Sequence, residues 1–313
     1  MTNTTSGSCS ASALRVLIVG FGDVGQSYAK ALVAQGVMVH LYHPAPREHA
    51  VDAARRLGLE FHTVPSAAYA GCDLALNVAP GSQVLTVAQA AASHMQAGAL
   101  FADLSSAAPH DVRTAASLFA QVDFVDVAIM GAVSIHGHRT PLLASGDRAH
   151  RLQALLAPLG FSVQALPDSL AGDATALKLV RSVLTKGMDG VIIECLLVAE
   201  ALGLRQTLLS NIGDLDSSRL SELMAMFVRT HAPHAQRRLH EMEAVEKTLQ
   251  NLGVPLIVTP AIRRRYERTV EVLGPAAQLP QGAQGDALFD RVLPWMLLAE
   301  RRDSASPATL PEG

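Results

Sequence analysis

Cysteine is scarce in this sequence: three among 313 residues, at Cys9, Cys72 and Cys195. Their wide spacing excludes a disulfide framework and fits a reducing cytoplasm. Cys72 and Cys195, each flanked by apolar residues, read as buried packing residues rather than nucleophiles. Charge of one sign is also missing, because the formal net charge is only −3. That balance offers nothing to a nucleic acid or an anionic membrane surface. No apolar run approaches the ~20 residues that a bilayer span requires. The opening MTNTTSGSCSASA lacks the basic and apolar regions of a signal peptide. Twelve histidines occur, yet no H-E-x-x-H pattern does. His231-x-x-His234 and His136-x-His138 come without carboxylates at ligand spacing, so no metal site is expected.

Apolar residues, by contrast, make up 49% of the chain, enough for two domains with their own cores. Arg15–Gly20 is predicted as a strand buried on both faces, with four apolar residues in a row. Gly22–Gln35 follows at helical spacing and stops at Gly36. Val37–Tyr42, Cys72–Ala79, Ala99–Leu104, Phe124–Ile129 and Leu142–Ser145 are further strands; Arg47–Leu57, Gln83–Gln96 and Pro109–Ala120 are helices between them. This alternation predicts an α/β fold, a doubly wound parallel sheet of Rossmann type. From Ala171 to Leu202 the spacing is helical with only isolated glycines, a rod of about 48 Å at ~1.5 Å per residue. Ser217–Thr230, Ala235–Leu252, Pro260–Leu273 and Ala287–Arg301 also read as helices, with no further strands. The predicted organisation is a disordered lead over 1–13, a Rossmann domain over 14–170, an all-helical domain over 171–302 and a flexible tail over 303–313. The active site is expected in the cleft between the domains. A long connecting helix needs a partner for its apolar faces, so a homodimer is expected.

Gly20-Phe21-Gly22-Asp23-Val24-Gly25 is a G-x-G-x-x-G sequence placed directly after a buried strand and opening a helix. Gly20 permits the tight turn, Gly22 lets the backbone approach a pyrophosphate, and Gly25 allows close helix–strand packing. Free N–H groups at the helix start, with the helix dipole, favour phosphate. An ordinary glycine-rich turn, or the glycine-rich turn of a methyltransferase sheet, fits this context less well. The stretch closing the second strand distinguishes NAD from NADP. It contains no acid before Glu48 and offers His43 and Arg47 instead. A carboxylate would repel a 2′-phosphate and a guanidinium can grip it, so the expectation leans to NADP(H) over NAD(H). Arg47 as an ordinary solvated residue of the next helix is the competing reading.

Gly172-Asp173-Ala174-Thr175-Ala176-Leu177-Lys178-Leu179-Val180-Arg181-Ser182 opens the long helix, and Lys178 and Ser182 share a face. Flanked by Leu177, Leu179 and Val180, Lys178 reads either as a partly desolvated general acid/base or as a surface lysine snorkelling past apolar neighbours. Composition alone favours the second. The basic run Arg263-Arg264-Arg265 with Arg268 reads as a solvated helix face in preference to a lid over an acidic substrate. Arg237 and Arg238 with Glu241 and Glu243 are spaced for ion pairs on one helix, or to reach an active site from a second subunit.

Taken in order along nearly the whole chain, these motifs resemble the β-hydroxyacid dehydrogenases, the superfamily of 6-phosphogluconate and 3-hydroxyisobutyrate dehydrogenases. Asn77-Val78-Ala79-Pro80 resembles the family loop on the adenosine side of the coenzyme. Asp103-Leu104-Ser105-Ser106-Ala107-Ala108-Pro109 resembles D-x-S-T-x-x-P, whose small polar residues lie near nicotinamide and substrate. Asp126-Val127-Ala128-Ile129-Met130-Gly131-Ala132 stands where the family carries its substrate loop, D-A-P-V-S-G-G. GDATALKLVRS resembles G-x-G-x-x-x-K-x-x-x-N, whose lysine is the catalytic acid/base. The helical half resembles a branch with its own 6-phosphogluconate-dehydrogenase-like C-terminal domain.

The resemblance implies hydride exchange between nicotinamide and a small 2- or 3-hydroxy acid or its carbonyl, in the cytoplasm. Lys178 would move the oxygen-bound proton, with Ser105, Ser106 and the backbone near Gly131 orienting the substrate. The departures bear on that substrate. Met130 and Ala132 replace a serine and a glycine of the substrate loop. Ala174 replaces a glycine of the lysine motif. Ser182 replaces the asparagine that holds the substrate hydroxyl, and Arg181 beside it offers a cation for a carboxylate. Imine reduction on the same scaffold, and a non-catalytic dinucleotide-binding protein, stay open as alternatives.

Overall fold

The computed structural model describes residues 14–304. The expected lead and residues 305–313 of the expected tail lie outside them, whereas Asp303 and Ser304 continue the last helix. Contacts divide the chain into two compact units, one up to Val183 and one from Leu184 onward.

The first unit alternates strands and helices. They run β1 (Arg15–Val19), α1 (Asp23–Ala34), β2 (Met38–Tyr42), α2 (Glu48–Arg56), β3 (Phe61–His62), α3 (Pro65–Tyr69) and β4 (Leu74–Asn77). Then come α4 (Val84–His94), β5 (Leu100–Asp103), α5 (Pro109–Ala116), β6 (Asp123–Ile129), α6 (Val133–His136), β7 (Leu142–Ser145), α7 (Ala149–Leu156) and β8 (Val163–Ala165). The eight strands form one sheet in the order β3-β2-β1-β4-β5-β6-β7-β8. Every neighbouring pair is parallel except β6 and β7.

Both faces of the sheet are covered, which is why its strands read as continuous apolar runs. Val16, Ile18, Leu41, Leu74, Leu76 and Val127 pack under α1, α2 and α7 through Tyr28, Leu32, Ala54 and Leu152. Leu17, Val19, Ala75 and Phe101 pack on the opposite face with Tyr69, Val87 and Ala91 of α3 and α4. The order reverses between β1 and β4. The loops leaving these two strands therefore splay apart, and such a crevice is where open α/β sheets take their ligands.

A helix of 29 residues, α8 (Asp173–Ala201), spans the division between the units. The second unit is otherwise helical: α9 (Arg205–Ser210), α10 (Gly213–Asp216), α11 (Leu220–His231), α12 (Ala235–Leu249), α13 (Val258–Leu273) and α14 (Ala287–Ser304). Leu288 and Val292 of α14 centre a small core with Val228 of α11. Glu194 of α8 is buried against the start of α13, where its carboxylate accepts the Ile257, Val258 and Thr259 amides at 2.6, 2.7 and 2.8 Å. These bonds, with the Thr259 hydroxyl, outweigh the cost of burial and hold the Glu194 pKa down at about 2.

One expectation is corrected. Cys195 is exposed, although Cys72 is buried, because the aliphatic neighbours of Cys195 on α8, Ile192, Ile193 and Leu197, are themselves exposed. The arginine run lies on an outer helix face, with Arg264 and Arg265 exposed, and carries ion pairs there. Arg263 pairs with Glu246 and Glu267, and Arg265 and Arg268 both pair with Glu300. Arg237 pairs with Glu241 one turn along α12.

Candidate functional site

Gly20 leaves β1 with φ +91°, a conformation that L side chains avoid, and a Cβ on it would lie 2.9 Å from the Ala79 nitrogen. A Cβ on Gly25 would collide with the Gly20 carbonyl oxygen, so α1 sits directly on the turn. A Cβ on Gly22 would meet nothing within 4 Å. Gly22 is also the N-cap of α1, and no side chain caps the helix. Three glycines thus have three different surroundings: a strained turn, a tight crossing, and an open cradle facing uncapped amides. A pyrophosphate fits that cradle, and a side chain at position 22 would fill it.

The cradle opens into a cavity of about 880 Å³. Its lining brings together Gly20, Phe21, Gly22, Val24, His43, Arg47, Val78, Ala79, Pro80, Ser105 and Ser106. Asp23, Gly25 and Asn77 do not line it. Asp23 is exposed in the first turn of α1, and Gly25 is buried. Asn77 is fully buried and acts through its amide, whose oxygen accepts the Ala79 N–H at 3.1 Å. At the far end, His43 Nδ1 accepts the Ala45 N–H at 3.1 Å, which leaves Nε2 to carry the proton of the neutral ring. Arg47 is the N-cap of α2 and has no side-chain cap bond, and His49 lines the cavity beside it. Glu48 does not.

Behind the Ser105 wall lies a buried carboxylate that the motif reading did not use. Asp103 ends β5 with 1% of its surface exposed. It accepts the Asn77 Nδ2 at 2.7 Å, the Ser105 amide at 3.3 Å and the Ser105 hydroxyl at 3.1 Å. Burial pushes its pKa up to about 6; the Asn77 and Ser105 bonds oppose that shift and Asp126 adds to it. Gly81 presses on the same loop, since a Cβ there would sit 2.6 Å from the Ser106 backbone.

Lys178, half-buried on α8, reaches this loop: its Nζ donates to Ser106 Oγ at 3.4 Å. Its sequence neighbours do not wrap it, for Leu177, Leu179 and Val180 are 45%, 52% and 66% exposed. Residues adjacent in sequence leave a helix in different directions, so they cannot shield the ammonium. Ser182 is half-buried one turn further, and Arg181 is exposed. Met130 packs against Ala128, Leu143 and Ala174, and Gly131 is exposed. Neither lines the cavity, which Ile129 does. Among the described residues no cluster of three or more His, Cys, Asp or Glu is placed to hold a metal, and no helix is long and apolar enough to cross a membrane.

Asp126 is the second group that the motif reading left without a role. It is fully buried on β6, in register with Asp103, and binds backbone amides at the start of α8. The signal for both was an acid next to apolar strand residues, at the end of LFAD and in the middle of DFVDVAI.

Residues 15–164 match the family model for the NAD binding domain of 6-phosphogluconate dehydrogenase. Residues 199–269 match a domain of unknown function, DUF1932. One similar solved structure is a conserved protein of unknown function described as structurally similar to 3-hydroxyacid dehydrogenases, with 28% identity, TM-score 0.60, and coverage of 82% of this chain and 97% of that one. An imine reductase from Aspergillus terreus shares the fold at 17% identity, TM-score 0.70, covering 85% and 96%. So does the Mycobacterium tuberculosis 3-hydroxyisobutyrate dehydrogenase, at 18% identity, TM-score 0.59, covering 85% and 96%. The chain therefore joins an NAD(P)-binding domain of the 6-phosphogluconate dehydrogenase type to a helical domain whose family has no assigned function.

Proposed function

We propose that this protein is an NADP(H)-preferring oxidoreductase acting on a small 2- or 3-hydroxy acid or the corresponding carbonyl, with Lys178 as general acid/base. The observation that carries the reading is the Lys178–Ser106 contact at the edge of the dinucleotide cavity. Bound in that cavity, a nicotinamide dinucleotide would supply hydride transfer. The chain's own residues do the rest. Uncapped α1 amides and the Gly22 cradle hold phosphate. The Ser106 hydroxyl and the Lys178 ammonium converge on one point, where a substrate oxygen would exchange its proton with Nζ. Ser105, fixed by Asp103, shapes the adjoining wall. Arg181, three residues along α8, supplies a cation for a substrate carboxylate.

Coenzyme preference follows from the α2 end of the cavity. Arg47, His49 and the Nε2 donor of His43 gather at a helix N-terminus, where cations alone are unfavourable and an anion is welcome. A 2′-phosphate meets that need. A second copy of the chain is the proposed partner, because Val180, Val183, Ile193 and Leu197 leave α8 with exposed aliphatic surface. Sedimentation of the full chain checks this; a monomer at micromolar concentration refutes it.

The deciding experiment is Lys178→Ala. Turnover is expected to fall by roughly 10²–10⁴-fold with NADPH affinity retained, and unchanged turnover removes the lysine mechanism. Arg47→Ala is expected to weaken NADPH by about 1.5–3 kcal/mol and leave NADH alone; tighter binding of NADH by the wild type overturns the preference. Activity on imines and none on hydroxy acids or carbonyls would move the assignment to C=N reduction. Tight NADPH binding without turnover of any of these classes would make it a binding protein.

A further inference from the structure

We propose that Asp126 is the positioning residue for Lys178: from inside the sheet it fixes where the first turns of α8 stand, and so where the ammonium meets Ser106. The inference rests on the reading of Lys178 as acid/base. Asp126 is fully buried, does not line the cavity, and spends its carboxylate entirely on the helix start and its support. One oxygen accepts the Gly172 amide, the Thr175 amide and the Ser145 hydroxyl, each at 3.0 Å. The other accepts the Thr175 hydroxyl at 2.7 Å. Ser145 passes the grip on, for its oxygen accepts the Ala174 amide at 2.9 Å. Asp126 and Ser145 face each other in register across the antiparallel β6–β7 pair.

Three amides at the start of α8 are thus held by two side chains of the sheet. An N-cap residue taken from the adjoining chain stabilises a helix wherever that helix lies. A cap lent by Asp126, 46 and 49 residues before the amides it binds, and by Ser145, 29 residues before Ala174, ties the helix to one place. The Asp126 bonds join a buried carboxylate to the helix start, where the dipole favours it, so the tie is stiff. Lys178 follows Thr175 by three residues, within one turn of the anchor. Its partner is fixed in the same manner, because Asp103, beside Asp126 on β5, holds the loop that carries Ser105 and Ser106. Each end of the Lys178–Ser106 contact is tied to its own buried carboxylate. A misplacement of ~1 Å in such a contact can cost about 100-fold in rate.

The test uses the full chain with its four lysine amines (Lys30, Lys178, Lys186 and Lys247) reductively methylated with carbon-13. The Lys178 signal is assigned by its loss in Lys178→Arg. Asp126→Asn puts an amide donor among N–H donors, Thr175→Val removes the hydroxyl bond, and Thr175→Ser restores it. In Asp126→Asn and Thr175→Val proteins that unfold cooperatively and bind NADPH within about threefold of wild type, only the Lys178 signal is expected to change its titration midpoint and its response to NADPH. Thr175→Ser is expected to return both to wild-type values. Should Asp126→Asn not fold, Thr175→Val with its serine rescue decides alone. A Lys178 signal that is unmoved in the folded variants overturns the proposal. The two readings separate cleanly: if Lys178→Ala keeps full turnover while Asp126→Asn shifts the signal, the acid/base role falls and the anchoring stands. Loss of turnover in Lys178→Ala with an unmoved signal in Asp126→Asn gives the reverse.

Discussion

Asp103→Asn puts a number on the buried carboxylate under the cavity. Burial raises the Asp103 pKa from 3.8 to about 6 in the folded protein. An acid whose pKa rises on folding destabilises the fold in its charged form. The penalty is absent below the unfolded pKa, grows between about pH 4 and pH 6, and is complete above that window. A shift of about two units corresponds to about 3 kcal/mol at ~1.4 kcal/mol per unit. Asparagine cannot ionise, and its oxygen can still accept from Asn77 and the Ser105 amide while its NH₂ group faces the Ser105 hydroxyl. The stability difference, Asp103→Asn minus wild type, is therefore expected to move in favour of asparagine by about 3 kcal/mol between pH 4 and pH 7. Urea unfolding of both proteins at matched pH measures it, and taking the difference cancels the titration of every other group. A difference that stays constant across the window would refute the reasoning. One that runs the other way would mean that hydrogen bonding, not burial, dominates this carboxylate.

The three glycines of the turn are expected to fail in different ways. Gly22→Ala, with open space at its Cβ, should unfold as the wild type does yet lose NADPH binding in a fluorescence titration. Gly25→Ala, aimed at the Gly20 carbonyl, should lower stability by about 1–3 kcal/mol as well as weaken NADPH. Glu194→Gln removes a charge that binds three amides at the start of α13, so thermal unfolding of the helical unit should weaken by roughly 2 kcal/mol. The Glu194 pKa is depressed to about 2, so its stabilisation is present above its ordinary value of 4.5 and is lost as the pH falls through 2. Urea unfolding of the wild type and Glu194→Gln should converge in acid.

The strands of the sheet were legible because burial on both faces leaves little but apolar residues in them. The first turn was legible because phosphate chemistry demands glycine at fixed spacing. The short elements β3, α3, α6, β8, α9 and α10 went unpredicted, since so short a run without a continuous apolar stretch displays no period. In the site, the cavity lining on the coenzyme side followed from motifs. The anchoring of α8 did not, because Asp126 meets its partners 19 to 49 residues away in sequence. Lys178 shows the opposite hazard. Its sequence neighbours left a dry pocket and a surface position both open; the helix turns them outward, and a serine from 72 residues earlier meets the amine.

Asp103 and Asp126 sit side by side on adjacent strands, and the charge of Asp126 adds to the rise in proton affinity of Asp103. In evolutionary terms they form an epistatic pair. A replacement at either position changes the electrostatic background in which the other was selected, so single and double variants should not add.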